Sequence, residues 1–254
     1  MSRRIFIGDV HGHYDGLMHL VALVSPLPAD TLHFAGDLID RGPDSAKVVE
    51  FIRQGNHVCV LGNHEHLLLN AFPEEDPNIE ALQCWLNSGG QATLTSYRDT
   101  EALLEHVQWF RSLPLSLDLG DIFLVHAGLN PHKDLANQNP IDCCWIREVF
   151  HACPTPFFKE KTIITGHTIT FTFPRVAPGK IVRGPGWLDI DTGAYHPKSG
   201  WLSAIDLDND LLYQVNIYTQ AKRIQSLEAG IVDVDLGDAR HHKTRKQHSF
   251  GQSG

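Results

Sequence analysis

Residues 4–12 read RIFIGDVHG, residues 31–42 read TLHFAGDLIDRG, and residues 57–65 read HVCVLGNHE. Each stretch is an apolar run, predicted to be a β-strand, that ends in a glycine followed by polar residues. Helix-like stretches at 15–24 and 45–53 separate the three runs. Strands that alternate with helices predict parallel strands joined by right-handed crossovers. The three polar ends should therefore meet at the carboxyl edge of one sheet, where open α/β folds bind ligands.

The chain starts with alternating strand and helix and finishes mostly as strand. The predicted strands are Arg4–Val10, Thr31–Leu38, His57–Leu61, Ile122–Val125, Thr162–Thr165, Leu188–Ile190, Trp201–Leu207 and Leu211–Tyr218. A short helix is predicted at Trp145–Phe150, and residues 208–210 suit a hairpin turn. We predict an α/β (α+β) protein with a single domain over residues 1–220. Residues 221–254 are predicted to be a carboxyl-terminal extension, disordered at least from 238.

Composition narrows the class of protein. The chain has 254 residues, a formal net charge of −9 and five cysteines. Negative charge argues against a general nucleic-acid surface but allows a local phosphate site. An odd cysteine count without a Cys-x-x-Cys pair favours reduced thiols. No apolar run approaches the roughly 18 residues that cross a bilayer, so we expect a cytoplasmic protein without a membrane partner. From the net charge we expect no nucleic-acid partner. The oligomeric state is left open.

The polar strand ends carry ligand types that complement one another. Asp9 and His11 are two residues apart, so they point to the same side of an extended chain. Asp37 can join them from the neighbouring strand. Carboxylate and imidazole together suit manganese, iron, zinc or nickel better than calcium. Two later strand candidates are followed by His126 and His167, which offer further imidazole ligands.

A second ion site would form if Asp37 bridges and Asn63, His126 and His167 complete the set. Two cations about 3.5–4 Å apart can hold a phosphoryl group between them and lower the pKa of a bridging water. Each signal is weak alone, because strand-end histidines are usually packed or hydrogen-bonded and Gly-Asp pairs are common in turns. Five such blocks together favour a metal site. Surface or supporting places are expected for other histidines, including His13, His33, His66 and His196.

Seven blocks can be compared with known families: GDVHG (8–12), GDLIDRG (36–42), GNHE (62–65), WLNSGGQATLTSY (85–97), VHAGL (125–129), WIREVF (145–150) and TGHT (165–168). They resemble the phosphoprotein phosphatase family of metallophosphoesterases, in its compact bacterial branch, close to the symmetrical diadenosine tetraphosphatases. The resemblance covers roughly residues 4–207. It implies a calcineurin-like β-sandwich flanked by helices, with a dinuclear metal centre commonly active with manganese.

The resemblance also implies a role for each site residue. Asp37 would bridge two divalent metals, the first also bound by Asp9 and His11, the second by Asn63, His126 and His167. His64 would protonate the leaving oxygen while Asp40 orients its ring. Arg41 and Arg147 would bind phosphate oxygens, because a guanidinium matches two of them at once. The ordinary alternatives are a capping or turn role for Asp40 and a surface ion pair on a helix for Arg147.

No residue is an obvious covalent nucleophile. A cysteine-based phosphatase needs a CX5R block, and neither Cys143 nor Cys144 has an arginine at that spacing. We therefore expect direct in-line attack by a bridging metal-bound hydroxide, without a phosphoenzyme. The cofactor would be two divalent ions; the ligand types leave iron, zinc, nickel and magnesium open, and the resemblance implies manganese as the favoured ion.

The favoured function is a metal-dependent phosphoric monoester hydrolase, of the serine/threonine protein phosphatase type, with dual specificity left open. Its partner would be a phosphorylated protein or peptide, or a small phosphoester. The alternative is a symmetrical dinucleoside tetraphosphate hydrolase. Asp40 and Glu65 favour the phosphatase, because the tetraphosphatase relatives often lack that aspartate and often have GNHD. A binding module that lost its chemistry is disfavoured, since no expected ligand is missing.

Substrate choice is expected to lie in the segment Ile169–Trp187, which is rich in proline and glycine. It carries Arg175, Lys180 and Arg183. One hypothesis is a mobile basic rim over the site that attracts anionic peptides. An ordinary loop or hairpin explains the same composition equally well.

Overall fold

The strands form two six-stranded sheets in this computed structural model, which describes residues 2–74, 76 and 78–234. In chain order the strands are β1 (Arg4–Ile7), β2 (Thr31–Phe34), β3 (Val58–Cys59), β4 (Ser116–Asp118), β5 (Ile122–Val125), β6 (Thr162–Thr165), β7 (Ile181–Gly184), β8 (Trp187–Asp189), β9 (Trp201–Asp206), β10 (Leu211–Asn216), β11 (Lys222–Ser226) and β12 (Ile231–Asp233). The first sheet has the order β11-β10-β9-β1-β2-β3, and the second β12-β7-β8-β6-β5-β4.

Nine α-helices lie within the described residues: α1 (Tyr14–Val24), α2 (Ser45–Gln54), α3 (Asn63–Ala71), α4 (Ile79–Trp85), α5 (Gln91–Ser96), α6 (Thr100–Arg111), α7 (Pro140–Trp145), α8 (Glu148–His151) and α9 (Leu227–Gly230). A π-helical turn, Leu86–Gly90, joins α4 to α5. In α2 the buried positions are Ser45, Val48, Val49 and Ile52, the spacing of one helix face. That face attaches the helix to the core.

The two sheets pack face to face. Successive residues of a strand point to opposite faces, so one face of each strand packs between the sheets and the other packs against helices. On β1, Phe6 belongs to an apolar cluster that includes Leu124, Ile164 and Ile205 from strands of both sheets. Its neighbours Ile5 and Ile7 belong to a separate cluster with residues of α1 and α2. A third cluster covers the far side of the second sheet. This architecture confirms the predicted sandwich flanked by helices.

Parallel pairing brings the polar strand ends together. β1 pairs in parallel with β2, and β2 with β3. In the second sheet β5 pairs in parallel with β6, and β6 with β8. Within each sheet the carboxyl ends of these strands therefore lie at one edge. The two edges meet at the same end of the sandwich, where His126, after β5, contacts the Ala35 carbonyl, after β2. The prediction that the first three polar blocks share one edge is confirmed.

The predicted helix at Trp145–Phe150 is wrong. The chain instead ends α7 at Trp145, leaves helical geometry at Ile146 and Arg147, and starts α8 at Glu148. Arg147 has φ −135° and ψ −95°, which no α-helix accepts. The break turns the Arg147 side chain away from a helix surface and toward the strand ends.

The described part of the chain continues past residue 220 within both sheets. β11 pairs with β10 in the first sheet, and β12 pairs with β7 in the second. The predicted division at 220 therefore falls between two paired strands. The predicted disorder from 238 lies outside the described residues. Among the described helices, none is long and apolar enough to cross a membrane.

Candidate metal centre

A cavity of about 140 Å³ opens at the shared carboxyl end of the strands. Seven of the ten predicted site residues line it, namely His11, Asp37, Arg41, Asn63, His64, Arg147 and His167. The other three, Asp9, Asp40 and His126, are buried and contact the lining residues. The fold thus gathers all ten residues, which come from separate parts of the sequence, around one small polar space.

The backbone of the strand ends is held in an unusual conformation. His11 and Asp37 have φ values of 47° and 48°, and Gly36 has φ 98°. A side chain at Gly36 would come within 2.8 Å of the Gly62 backbone. The carboxylate of Glu65 accepts backbone N–H groups from Asp37, Leu38 and Gly62 at 2.8–3.1 Å. Glu65 thereby holds the second and third blocks in a geometry that side-chain sterics oppose.

Asp37 lies between two sets of imidazoles. Its Oδ2 is 3.6 Å from His11 Nε2, and its Oδ1 is 3.3 Å from His126 Nε2. Two groups of side chains each hold their candidate ligand atoms within 4.8 Å of one another, and Asp37 belongs to both. The groups are His11, Asp37 and His64, and Asp37, His126 and His167. One carboxylate shared by two ligand groups is the geometry that a bridged pair of cations needs.

Backbone carbonyls fix the imidazole tautomers. His11 Nδ1 lies 3.0 Å from the Ile39 carbonyl, and His126 Nδ1 lies 2.7 Å from the Ala35 carbonyl. A carbonyl oxygen can only accept, so each Nδ1 must carry the hydrogen. Burial lowers the pKa of both histidines, which keeps the rings neutral. Each Nε2 therefore turns a lone pair toward Asp37.

Further acceptor atoms converge on the same space. Asn63 Oδ1 is 3.0 Å from His126 Nε2 and 2.7 Å from His167 Nδ1. His167 Nε2 is buried without a hydrogen-bond partner in the described residues. Lone pairs of Asp37, Asn63 and His126 thus face one another with no proton assigned between them. Oxygen and imidazole donors in this arrangement fit a divalent transition metal.

Asp9 lies beside these ligand groups rather than within them. Its carboxylate accepts the backbone N–H of His167 at 3.1 Å. Burial raises the pKa of Asp9, and the negative charges of Asp191 and Asp37 raise it further. Neighbouring carboxylates of this kind favour a cation between them. Asp9 as a ligand of the first metal remains a prediction.

His64 has a different partner from the other rings. Its Nδ1 is 2.6 Å from Asp40 Oδ2, and its Nε2 is 2.8 Å from Arg41 Nη2. Burial lowers the pKa of His64, but the charges of Asp37 and Asp40 outweigh it and raise the pKa overall. A carboxylate behind the ring thus makes His64 better able to hold a proton than His11.

The two arginines stand on different sides of the cavity. Arg41 contacts His64, reaches His11 Nε2 with its Nη1 at 3.0 Å, and stacks on the Tyr195 ring at 3.9 Å. Arg147 donates through Nη1 to the His167 carbonyl at 3.0 Å and to Thr168 Oγ1 at 2.9 Å. These contacts tether Arg147 to the later histidine block rather than to the surface of a helix.

Two lining residues escaped the sequence analysis. Asp191 and Tyr195 both border the cavity. Asp191 is buried and accepts the Gly193 N–H at 2.9 Å. Burial raises the pKa of Asp191 to about 6. The available signal was the run Leu188-Asp189-Ile190-Asp191, an apolar stretch ending in an aspartate before Thr-Gly, as in the earlier blocks.

The proposed basic rim is wrong for two of its three charges. Arg183 pairs with Glu228 at 2.9 Å and Asp233 at 2.6 Å, both near the end of the described chain. Lys180 donates to the Ala229 carbonyl at 2.7 Å. Part of the segment is β7, paired on both edges. From this segment only Ile169 and Thr172 line the cavity.

Comparison with curated proteins finds relatives that are named symmetrical bis(5'-nucleosyl)-tetraphosphatases. The chain is 35% identical over 160 residues to a protein of Salmonella paratyphi C (strain RKS4594) named symmetrical bis(5'-nucleosyl)-tetraphosphatase. The match covers 61% of this chain and 52% of that protein. The chain therefore spans about half the length of the curated relatives it matches.

Solved structures share the fold at low sequence identity. One, provisionally assigned as a diadenosine tetraphosphatase, matches with a TM-score of 0.60 and 22% identity, covering 84% of this chain and 93% of the other. A protein serine/threonine phosphatase from Saccharomyces cerevisiae matches with a TM-score of 0.56 and 17% identity, covering 89% and 79%. At these identities the structures support the architecture alone.

The preference for a protein phosphatase is wrong. The curated relatives are named tetraphosphatases, which favours the alternative. The two positions that had decided the preference do not read the substrate. Glu65 binds backbone N–H groups, and Asp40 is fully buried behind His64. Both residues serve the scaffold of the site, which relatives with different substrates can share.

The sequence profile of the calcineurin-like phosphoesterase family matches residues 2–188, well over half of the chain. That range includes all ten predicted site residues. Nine of them precede the end of β6, and His167 follows it. Fold, ligand geometry and sequence profile thus agree. The chain belongs to the calcineurin-like phosphoesterase family of metal-dependent hydrolases.

Proposed function

We propose that this protein is a symmetrical dinucleoside tetraphosphate hydrolase that uses two divalent cations. The observation that carries the proposal is the position of Asp37, shared by two ligand groups at the base of a cavity with an arginine on either side. Such a site suits a phosphoryl group inside a longer phosphate chain. The names of the curated relatives support this substrate class.

The size of the cavity supports an extended phosphate substrate. At about 140 Å³ it is smaller than the 300–1,000 Å³ typical of pockets that enclose a drug-sized ligand. A phosphoryl group would fit, whereas a nucleoside would have to lie outside. In a dinucleoside tetraphosphate the central phosphates would occupy the cavity and the two nucleosides would lie over its rim. Cleavage at the centre of the chain would release two nucleoside diphosphates.

The metal ligands are proposed as the residues that converge on Asp37. The first cation would be held by Asp9, His11 and Asp37, and the second by Asp37, Asn63, His126 and His167. When bound, the cations would neutralise charge on the phosphoryl oxygens and activate a water. The mixed oxygen and imidazole set suits several divalent transition metals, and manganese is proposed among them because the family resemblance implies it.

The remaining residues are proposed to act on the phosphate chain directly. Arg41 and Arg147 would bind phosphoryl oxygens from opposite sides of the cavity, since each presents a planar set of donors. His64 would deliver a proton to the leaving diphosphate oxygen, because its Nε2 faces the cavity and Asp40 holds the opposite nitrogen. Its ring would exchange the Arg41 contact for the substrate.

The test is product analysis with one defined substrate. Manganese-loaded protein is incubated with diadenosine tetraphosphate, and the nucleotides are separated by anion-exchange chromatography. We expect ADP as the only product, and no turnover after treatment with a chelator. AMP and ATP as products, or turnover of a phosphopeptide without turnover of the dinucleotide, would overturn the proposal.

A further inference from the structure

The segment 85–93 lies against the block that carries Asp40 and Arg41. It runs from the end of α4 through the π-helical turn Leu86–Gly90 into α5. The sequence resemblance singles out this stretch but gives it no chemical role. Turns of π-helix inside longer helices are frequent at functional sites. Its contacts suggest what the segment does here.

Three donors share the buried carboxylate of Asp40. Trp85 Nε1 lies 3.0 Å from both carboxylate oxygens, and Thr93 Oγ1 lies 2.6 Å from Oδ1. The third donor is His64 Nδ1, 2.6 Å from Oδ2. Trp85, Thr93 and Asp40 are each 0% exposed. Because no solvent reaches this carboxylate, its orientation depends on the donors around it.

The same segment also holds the backbone of the block. The Asp40 N–H donates to Thr93 Oγ1 at 2.9 Å and to Ser45 Oγ at 3.1 Å. The Arg41 N–H donates to the Gly89 carbonyl at 3.2 Å. Both donors stand in the left-handed region, with φ 73° for Asp40 and 70° for Arg41. Two consecutive residues of this kind are costly, so outside contacts must hold them.

Gly89 allows the close approach of the two chains. It has φ 114°, and a side chain there would come within 2.8 Å of Arg41 Cγ. The glycine therefore lets the 85–93 segment seat directly on Arg41.

We propose that Trp85 and Thr93 are positioning residues, which act on the reaction through Asp40 rather than through the substrate. By fixing the Asp40 carboxylate they keep the hydrogen of His64 on Nδ1 and leave Nε2 facing the cavity. This inference rests on the proposed role of His64 in the function above. It adds a buried donor pair from a different part of the chain to the residues that the reaction needs.

The decisive variant is Thr93→Val, which keeps the shape of the side chain and removes its hydroxyl. Thr93→Ser restores a hydroxyl and serves as the rescue. The matched control is Thr95→Val on the same helix, because the Thr95 hydroxyl donates to the Gln91 carbonyl at an exposed position. Trp85→Phe, with Trp109→Phe as its control, removes the second donor independently.

Two measurements are made on the manganese-loaded protein and one on the metal-free protein. With diadenosine tetraphosphate, Thr93→Val should lower kcat about tenfold, a fraction of the 10²–10⁴ that a general acid contributes. KM should stay within about twofold, and Thr93→Ser should recover most of kcat. In the metal-free protein, the NMR signal of the His64 Nδ1 proton should move in Thr93→Val and Trp85→Phe but not in the two controls.

The positioning role and the proposed function are tested by different outcomes. An unchanged His64 signal in Thr93→Val, or a kcat loss that Thr95→Val shares, overturns the positioning role. A wild-type protein that leaves diadenosine tetraphosphate intact overturns the proposed function. In that case the NMR comparison still decides whether Thr93 and Trp85 set the His64 ring.

Discussion

The two ends of the first sheet differ in how their charged side chains are arranged. At the amino end, Arg3 pairs with Asp30 at 2.6 Å, and Arg4 pairs with Asp208 at 3.1 Å. At the carboxyl end, Asp9, Asp37, Asp40 and Glu65 are all buried, and Arg41 is the cation that lies among the site residues of that edge. The amino end pairs each charge with an opposite one, whereas the carboxyl end buries four acidic side chains beside one arginine.

This difference changes the pKa values of the carboxyl groups at the two ends. Burial raises the pKa of Asp9, and the negative charges of Asp191 and Asp37 raise it further. The hydrogen bonds from Arg3 lower the pKa of Asp30 to about 2. Perturbation by burial and like charge is typical of functional sites, and perturbation by an opposite charge is typical of structural pairs. The comparison predicts that substitutions at the carboxyl end change activity and those at the amino end change stability.

The largest effect is expected for Asp37→Asn. The substitution removes the one charge shared by both ligand groups, so metal binding and turnover should be lost together. A single electrostatic group at a reaction centre is worth 10²–10³ in rate, and we expect a loss of at least about 10³. Isothermal titration with Mn²⁺ and turnover assays measure the two effects. Asp44→Asn, in an exposed ion pair with Lys47, is the control. Retained activity would contradict the bridging position.

A smaller effect is expected for Arg41→Lys. Lysine keeps the charge but has no planar fork, and it cannot reach His11 and His64 while stacking on Tyr195. We expect kcat/KM to fall about 100-fold, equivalent to about 2.7 kcal/mol of transition-state stabilisation. The control Arg53→Lys, on the surface of α2, should keep its rate. Equal rates for the two variants would show that charge alone suffices at position 41.

The smallest effect is expected for Asp30→Asn, at the opposite end of the sheet. Because the pKa of Asp30 is lowered on folding, its contribution to stability is present above about pH 4 and is lost as pH falls toward 2. The variant should lose about 1 kcal/mol of unfolding free energy at neutral pH, the upper range for an exposed pair, because the Asp30 side chain is 1% exposed and Arg3 is partly exposed. It should also show a flatter stability profile at acidic pH, with unchanged turnover. Urea unfolding at several pH values measures this. Any change in KM would contradict the prediction that substitutions at the amino end change only stability.

The first half of the site was predictable because its residues are close in sequence to the strands that place them. Asp9, Asp37 and Asn63 each follow an apolar run by a few residues, and parallel pairing then brings them together. The first three predicted strands were too long at their carboxyl ends, because the chain leaves the sheet near the glycines to reach the cavity, whereas Ile122–Val125 and Thr162–Thr165 were predicted with the observed bounds. β1, for example, ends at Ile7 rather than Val10.

The rest of the site depends on contacts that no local pattern encodes. Tyr195 reaches Arg41 from a loop after β8. Trp85 and Thr93 meet Asp40 across more than 40 residues. Lys180 and Arg183 were wrongly predicted to lie over the site for the same reason. Arg183, for example, pairs with Glu228 and Asp233, which are distant in sequence. Substrate class was misjudged because the positions compared belong to the scaffold.

The last described strands have a consequence for synthesis of the chain. β11 covers the edge of β10, and β12 covers the edge of β7. On the ribosome, all the residues around the cavity emerge before either covering strand. A nascent chain that already carries every proposed metal ligand still presents two open strand edges, which are templates for pairing with a neighbouring polypeptide. A released chain that ends between residues 216 and 222 would therefore present both open edges and be prone to aggregation.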